Sequence, residues 1–529
     1  VKSQSAARPL RPVRPVGPVR VGLWIGLFFL MLYGLYAGGV TREGDSLWQY
    51  LTGEAIYLHH TLDMTTVVPD WNKTPEKPLY CYNTIGPALL FLPFIALEQI
   101  FPIKQKVFTP QGVYEQEFYF ASFMNVVIGA ILAFFFYQFC FLLTGDRRAS
   151  IIATMAHGLT SYSFFLSIIW RDVMPAMTAG FVALYAVAVY HKQARGWTAA
   201  LAAGCAAGLA GCCRQPYLGI IPIIGLYLLI PAIASRSSWK KILLSALVFG
   251  AGCLLFLAPQ GYFNYIKFGN VFTFYAENPT KMLLNPMAIL SNLLSYVVSP
   301  GGSVFAYSPL LLLSIPGFVL FYRKEKALFW CIVSAVVMQW GFYSLLQDPH
   351  WNGAVVLEFG NRYAGSVIAF LFLPSVYAWS ALPGWKIWEK KAVRWIVVLG
   401  FLFAAALQLF ILSVNTRQPC IFPHVNYPEY TSRNLIWDIR QSHILRMYNR
   451  VVFVLKQNGM FAPPRLGFVK DFNPEYSRNF NFWASNFDLV PGARQTANLM
   501  LLVMFVALIR VLLLLRGGGA KTLPPKENP

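Results

Sequence analysis

Charge is scarce in this chain. Of its 529 residues only 12% are Asp, Glu, Lys or Arg, whereas 57% are hydrophobic. A water-soluble domain ordinarily carries about 25% charge. A surface so thinly charged cannot face water over its whole extent, and a soluble globular fold is excluded. Acidic residues are the rarer sign, 22 against 43 Lys and Arg, which gives a net charge of +21. Cysteine pairs of the CxxC type are absent, which removes the zinc-finger folds. There is no P-loop, no GxSxG and no HExxH, so the usual phosphate cradle, serine-hydrolase elbow and zincin helix are missing. No internal repeat is visible, which argues against a transporter built from inverted repeats.

Long apolar runs are what the sequence has instead, at 21–40, 126–143, 242–258, 305–321 and 496–515. About 20 apolar residues in a helix cross the ~30 Å hydrocarbon core. The fold class expected is therefore an all-α polytopic membrane protein. About 12 spans are expected, near 21–40, 118–143, 149–167, 174–191, 197–213, 216–234, 241–258, 305–321, 327–346, 364–381, 394–414 and 496–515. No small-residue cleavage site follows the first run, so it is expected to stay as the first helix. The segment before it, 1–20, is basic and proline-rich (Lys2, Arg8, Arg11, Arg14, Arg20) and reads as a disordered cytoplasmic tail.

With the N-terminus inside, the inner segments are short and basic. They hold roughly 22 Lys/Arg against 4 Asp/Glu, and the outer ones roughly 20 against 18. That is the positive-inside pattern. It assigns most of the +21 to the anionic cytoplasmic leaflet rather than to a nucleic acid. The inner loops are too short for a nucleotide-binding domain. The outer side takes the length, in loops at 41–117, 259–304 and 415–495, the last a polar segment or small domain before the final span at 496–515 and a cytoplasmic tail at 516–529. Short apolar pieces at 85–100 and 287–298 are expected to lie along the interface. Most of the eight cysteines fall in apolar runs and read as packing. Cys81 and Cys420 fall in outer loops, where an oxidising compartment would let them pair.

Ionisable residues near a membrane are costly and default to functional candidates. Here they gather on the outer side. Arg42-Glu43-Gly44-Asp45-Ser46 follows the first helix, and Glu76-Lys77-Pro78 lies further along the same loop. A carboxylate at the surface can act as a general base or bind a divalent metal, and a lysine can meet an anionic head group. A solvated loop and a juxtamembrane salt pair are the plainer readings of these two. Arg171-Asp172 sits between the third and fourth spans, as a functional pair or a structural ion pair. Arg214-Gln215-Pro216 marks the turn between the fifth and sixth. Gln347-Asp348-Pro349-His350-Trp351-Asn352-Gly353 and Glu358-Phe359-Gly360-Asn361-Arg362-Tyr363 precede the tenth. Arginine can grip a phosphate with two parallel hydrogen bonds. The adjacent His59-His60 cannot share one helix face and reads as interfacial.

Taken in order, these clusters resemble the membrane glycosyltransferases of the GT-C superfamily, among them the lipid A aminoarabinose transferases and the protein O-mannosyltransferases. Gly44-Asp45-Ser46, Glu76-Lys77-Pro78, Arg171-Asp172 with Pro175, and Arg214 are similar to the aminoarabinose transferases. Tyr82-Asn83-Thr84-Ile85-Gly86-Pro87-Ala88-Leu89-Leu90, Phe305-Ala306-Tyr307-Ser308-Pro309-Leu310, and Trp351-Asn352-Gly353 with Phe359-Gly360-Asn361-Arg362-Tyr363 resemble a broader bacterial GT-C branch. That branch often carries proline before the last arginine, where this chain has Asn361. The resemblance spans roughly residues 20–400. It implies a catalytic module over 21–414 in the cell (inner) membrane, both termini cytoplasmic and the site facing outward. It also implies sugar transfer from a polyprenyl-phosphate donor to a lipid, glycan or protein hydroxyl, with membrane lipids as the other partners. Asp45 would be the base or the carboxylate of a divalent metal, the one cofactor the resemblance allows. Asp172 and Glu76 would support it, and Lys77, Arg171, Arg214 and Arg362 would hold the donor phosphate. A flippase for lipid-linked sugars and a polysaccharide polymerase or ligase are the alternatives.

Overall fold

The structure, a computed structural model, describes residues 17–37, 44–67, 78–81, 83–102, 105–109, 112–116, 119–169, 171–193, 196–234, 238–273, 286–345, 361–413, 437, 444–445 and 493–517. Among these, eight helices are long and apolar enough to cross a membrane. The protein is an integral membrane protein. The first helix, α1 (Pro18–Tyr36), takes Pro18 in its first turn, where the missing N–H costs nothing. After it come α2 (Gly44–His59) and α3 (Gly86–Ile100), then a hairpin of β1 (Gln105–Thr109) and β2 (Gly112–Gln116) paired antiparallel. The first outer loop of the sequence reading thus carries two helices and a hairpin. The apolar stretch expected at the interface is α3.

The bundle itself continues with α4 (Met124–Thr144), α5 (Arg147–Thr160), α6 (Ser163–Ile168), α7 (Val173–Gln193), α8 (Gly196–Cys213), α9 (Ile220–Ala234) and α10 (Trp239–Phe268). The turn from α4 to α5 needs only two residues. Gly145 takes φ +65, a left-handed conformation that a side chain would strain, and Asp146 Oδ1 then accepts from the Ala149 N–H at 3.0 Å to cap α5. At 30 residues α10 is about 45 Å long, and it runs ten residues past the expected end of its span. Four expected spans are built of shorter pieces. One is the α5–α6 pair, broken at Ser161-Tyr162, and another is α9 behind a 3-10 turn at Gln215–Gly219. After α11 (Pro286–Val298), which is the short apolar piece expected at 287–298, the third is α12 (Val304–Tyr307), a 3-10 turn Pro309–Leu313 and α13 (Ser314–Lys324). The fourth follows α14 (Lys326–Ser344), as α15 (Arg362–Gly365), α16 (Ile368–Phe372) and α17 (Ser375–Ala381). Broken backbone at membrane depth must be satisfied from within the protein. Here Ser308 Oγ accepts from the Tyr162 N–H at 2.9 Å, and the Ser366 carbonyl accepts from the Tyr217 hydroxyl at 2.5 Å.

Two long helices close the described chain, α18 (Lys391–Ser413) and α19 (Ala493–Gly517). Burial sorts centre from rim: 83% of the apolar window of α7 is buried, against 17% in α10 and 11% in α19. The rim helices turn Leu244, Leu255, Phe403 and Leu502 outward, as lipid-facing surfaces do. Close packing rests on small residues. A Cβ on Gly204 would come 2.1 Å from the Phe249 carbonyl, and one on Gly208 2.4 Å from that of Cys253, so α8 and α10 touch backbone to backbone. At the basic end, Arg148 Nε and Nη2 donate to the last carbonyls of α19, at Leu515 and Arg516. Lys192 meets Glu325 at 2.5 Å there too. The first and last spans, α1 and α19, pack on each other, with Met500 against Gly34.

Candidate active site

At the opposite end, α7 begins while α6, α8 and α14 finish, and their connections bring charged side chains together. Asn125, fully buried at the start of α4, donates through Nδ2 to the carbonyls of Ile169 at 2.5 Å and Arg171 at 2.9 Å. That fixes the short loop holding Arg171 and Asp172. The end of α8 is fixed from the other side. Thr84 Oγ1 donates to the Cys213 carbonyl at 2.7 Å, and a Cβ on Gly86 would lie 2.5 Å from the Cys212 carbonyl carbon. The first turn of α3 therefore rests on the residues just before Arg214. Gln260 of α10 accepts from the Ile85 N–H at 2.9 Å and holds that turn in place.

Arg214 is the centre of the site. Its Nη1 pairs with Asp172 Oδ1, and its Nε donates to the Tyr343 hydroxyl at 2.5 Å. Tyr343, at the end of α14, stacks on Tyr363 with ring centroids 4.5 Å apart and 27° between planes. The Arg214 guanidinium carbon lies 5.4 Å and 5.7 Å from the two ring centroids, within the range of cation–π attraction. Arg362 approaches Tyr363 as well, its guanidinium carbon 5.0 Å from the ring centroid, and its Nη2 donates to the hydroxyl at 3.1 Å. Asn361 Oδ1 accepts from the N–H groups of Tyr363 and Ala364 and so caps α15. Proline has no side chain that could make those bonds, which is the physical consequence of the departure noted at this position.

The charge balance of the described site is cationic. Arg171 and Arg362 are nine-tenths buried, and the Arg214 side chain is 11% exposed, against the single carboxylate of Asp172 at 21%. A cationic wall lined by tyrosine faces and hydroxyls suits an anionic group that accepts hydrogen bonds. Among the described residues no three His, Cys, Asp or Glu side chains group as metal ligands. Among the described residues Asp172, bound to Arg214, is the site's one acidic oxygen donor; the side chain of Asp45, the expected metal ligand, lies outside them.

Of the residues singled out from sequence, Asp172, Arg214 and Arg362 are brought together, and Arg171 sits beside them on the same loop. The ion pair of Asp172 is made with Arg214, across 42 positions of sequence. Asp45 is the second residue of α2, and its side chain lies outside the described residues. Glu76, Lys77 and Cys420 lie outside them too, as does all of 415–495 except Trp437, Ile444, Leu445 and the first residues of α19, 493–495. Tyr343 and Asn125 were not singled out. A tyrosine ending an apolar run reads as an interfacial anchor, and a lone asparagine at a span's start carries no motif.

A bundle of apolar helices with interrupted spans, and a long helical loop after its first helix, matches the GT-C membrane fold at the level of fold. It is similar in structure to ArnT from Cupriavidus metallidurans bound to undecaprenyl phosphate, at a TM-score of 0.50 and 10% identity over 82% of this chain and 77% of that one. The apo state of the same enzyme gives 0.48, at 11% identity over 82% and 75%. An oligosaccharyltransferase from Archaeoglobus fulgidus gives 0.45, at 14% identity over 74% and 54%. At such identities the likeness is one of fold. No protein-family model matches the sequence, and no curated protein does.

Proposed function

We propose that this protein is a glycosyltransferase that moves a sugar from a polyprenyl-phosphate donor to an acceptor hydroxyl at the outer face of the cell membrane. The observation that carries the reading is the Arg214 cluster. In it two guanidiniums and two stacked tyrosines converge at one end of a GT-C bundle, opposite the basic end. The positive-inside rule assigns the basic end to the cytoplasm and the cluster to the exterior. No nucleotide-sugar pool exists outside, so an activated sugar arrives on a lipid. ArnT binds undecaprenyl phosphate in a structure of this fold, which favours the same class of carrier here.

The acceptor oxygen attacks the anomeric carbon, the bond from that carbon to the phosphate oxygen breaks, and the polyprenyl phosphate leaves with the electron pair. Arg214 and Arg362, with Arg171 and Lys77, stabilise charge growing on the phosphate. Asp172 orients Arg214, and Tyr343 holds its Nε, so the guanidinium meets the leaving group already positioned. Asp45 takes the proton of the acceptor hydroxyl, supported by Glu76.

Purified protein in nanodiscs, supplied with radiolabelled polyprenyl-phosphate sugars and a membrane extract, tests the reading. Label passes from lipid to product, and Asp45→Asn abolishes the passage. Full transfer by Asp45→Asn sinks the assignment of the base. Intact donor crossing the bilayer of vesicles without being consumed replaces the enzyme with a flippase. Transfer of whole glycans rather than single sugars replaces it with a polymerase or ligase.

A further inference from the structure

Glu98 is the acidic side chain buried deepest among the described residues, at 1% exposure, on a helix the reaction does not otherwise use. It lies near the end of α3, away from the turn that rests on α8. Its Oε2 accepts from the Tyr50 hydroxyl of α2 at 2.7 Å, and its Oε1 accepts from the Ala121 N–H at 2.9 Å. Ala121 opens the 3-10 turn Ala121–Phe123, which runs directly into α4. One carboxyl therefore ties three pieces of chain that are far apart in sequence. Around it Tyr50, Phe91, Ile95, Ala121 and Met124 form a small buried cluster of their own. A polar tie in an apolar setting costs too much to be kept unless it fixes a geometry.

We propose that Glu98 is a positioning residue, clamping the α2–α3 pair to the start of α4 and thereby fixing the first turn of α2, where Asp45 sits. The inference rests on the transfer reaction proposed above and names one more residue that the reaction needs. Titratable groups acting on the carboxyl are Tyr50 and Glu54 of α2, with the N–H groups of Phe120 and Ala121. Packed on α3 as well, α8 meets it at Gly86 through Cys212, at the far end. Burial raises the Glu98 pKa from 4.5 to about 7; Glu54 adds to the rise, and the hydrogen bonds from Ala121 and Tyr50 oppose it. The protonated carboxyl keeps both ties. One oxygen still accepts from Ala121, and the other can donate to the Tyr50 oxygen. Losing the proton leaves a charge in a dry place beside Glu54. The clamp's stability is complete below pH 4.5 and is lost as the pH rises through about 7.

Glutamine reproduces the protonated form, with one oxygen to accept and one amide to donate, and has no proton to lose. The test measures hydrogen-exchange protection factors of 44–59 and 119–123 in the full chain in nanodiscs, at pH 6 and pH 8, with transfer kinetics alongside. In the unmodified protein, protection of both segments falls about tenfold from pH 6 to pH 8, the scale of one lost buried hydrogen bond. Glu98→Gln stays protected at both pH values, and Glu98→Ala is unprotected at both. Tyr50→Phe, a milder change, loosens 44–59 more than 119–123, because the Ala121 tie remains. Glu98→Ala lowers kcat about tenfold with donor KM unchanged, and Glu98→Gln restores it. Protection in Glu98→Ala equal to that of the unmodified protein overturns the clamp. Loosened segments with unchanged kcat overturn the positioning role. Loosened segments in a chain that transfers no sugar in any form leave the clamp standing and remove the proposed reaction instead.

Discussion

Arg214 shows why residue type matters more than charge at this site. Its flat guanidinium meets Asp172 and the Tyr343 hydroxyl through separate nitrogens while lying near two ring faces. A lysine carries the same charge as a single point and cannot hold that fork. Arg214→Lys is expected to lose about tenfold in transfer rate and Arg214→Ala at least about 100-fold, the scale of removing one positioned donor. Single-turnover kinetics with labelled donor check both values. A second residue with a clear sign is Asp63, whose Oδ1 accepts from the N–H groups of Thr65 at 3.0 Å and Leu79 at 2.8 Å, across the long loop after α1. Its partial burial pushes the carboxyl pKa up, but those hydrogen bonds outweigh it and hold the pKa below the ordinary value. Asp63 thus contributes stability that is present above pH 3.8 and lost as the pH falls through its lowered value. Thermal unfolding in detergent should place Asp63→Asn below the unmodified protein at pH 7, and the gap should close under strong acid.

Elements pack here by the size of their smallest residues. The run Gly204-x-x-x-Gly208 reads in sequence as one more apolar span, yet the structure uses it to seat α8 against the backbone of α10. Gly204→Val puts a branched side chain where even a Cβ would lie 2.1 Å from a carbonyl oxygen. It is expected to lower the melting temperature by at least about 5 °C, as overpacking costs about 1–3 kcal/mol. Gly250→Ala, at a position of α10 with nothing within 4 Å of the added Cβ, is the control and should leave melting unchanged. Element identity was legible wherever a span is continuous, because an uninterrupted apolar run has one stable form in lipid. From sequence alone the four broken spans read as whole helices. Their interruptions at Ser161-Tyr162, Pro309, Pro374 and the turn after Arg214 are stabilised by partners remote in sequence, such as Ser308 for Tyr162. No local pattern announces such a partner.

For the whole molecule, the charge asymmetry sets an orientation that labelling can test. In a variant freed of native cysteines, a cysteine at Trp239, 67% exposed at the basic end of α10, should react with an impermeant thiol reagent only from the cytoplasm. One at Phe272, 82% exposed beyond the other end, should react only from outside. The reverse pattern would put the Arg214 cluster in the cytoplasm, where the argument for a lipid-borne sugar fails.

Composition and hydropathy by themselves determined that the chain is a polytopic helical membrane protein and which of its ends is basic. Both follow from transfer free energies that depend on local residue content alone. The sequence also marked Asp172, Arg214 and Arg362, because an ionisable residue beside a span is costly wherever it falls. Only the tertiary structure decided that Asp172 pairs with Arg214 and that Tyr343 and Tyr363 wall the site. It alone placed Asn125 under the loop of Arg171 and Glu98 between α2 and α4. Each of those is a contact between residues 20 to 48 positions apart. Its free energy comes from geometry that several packed helices impose together, and no window of sequence contains it.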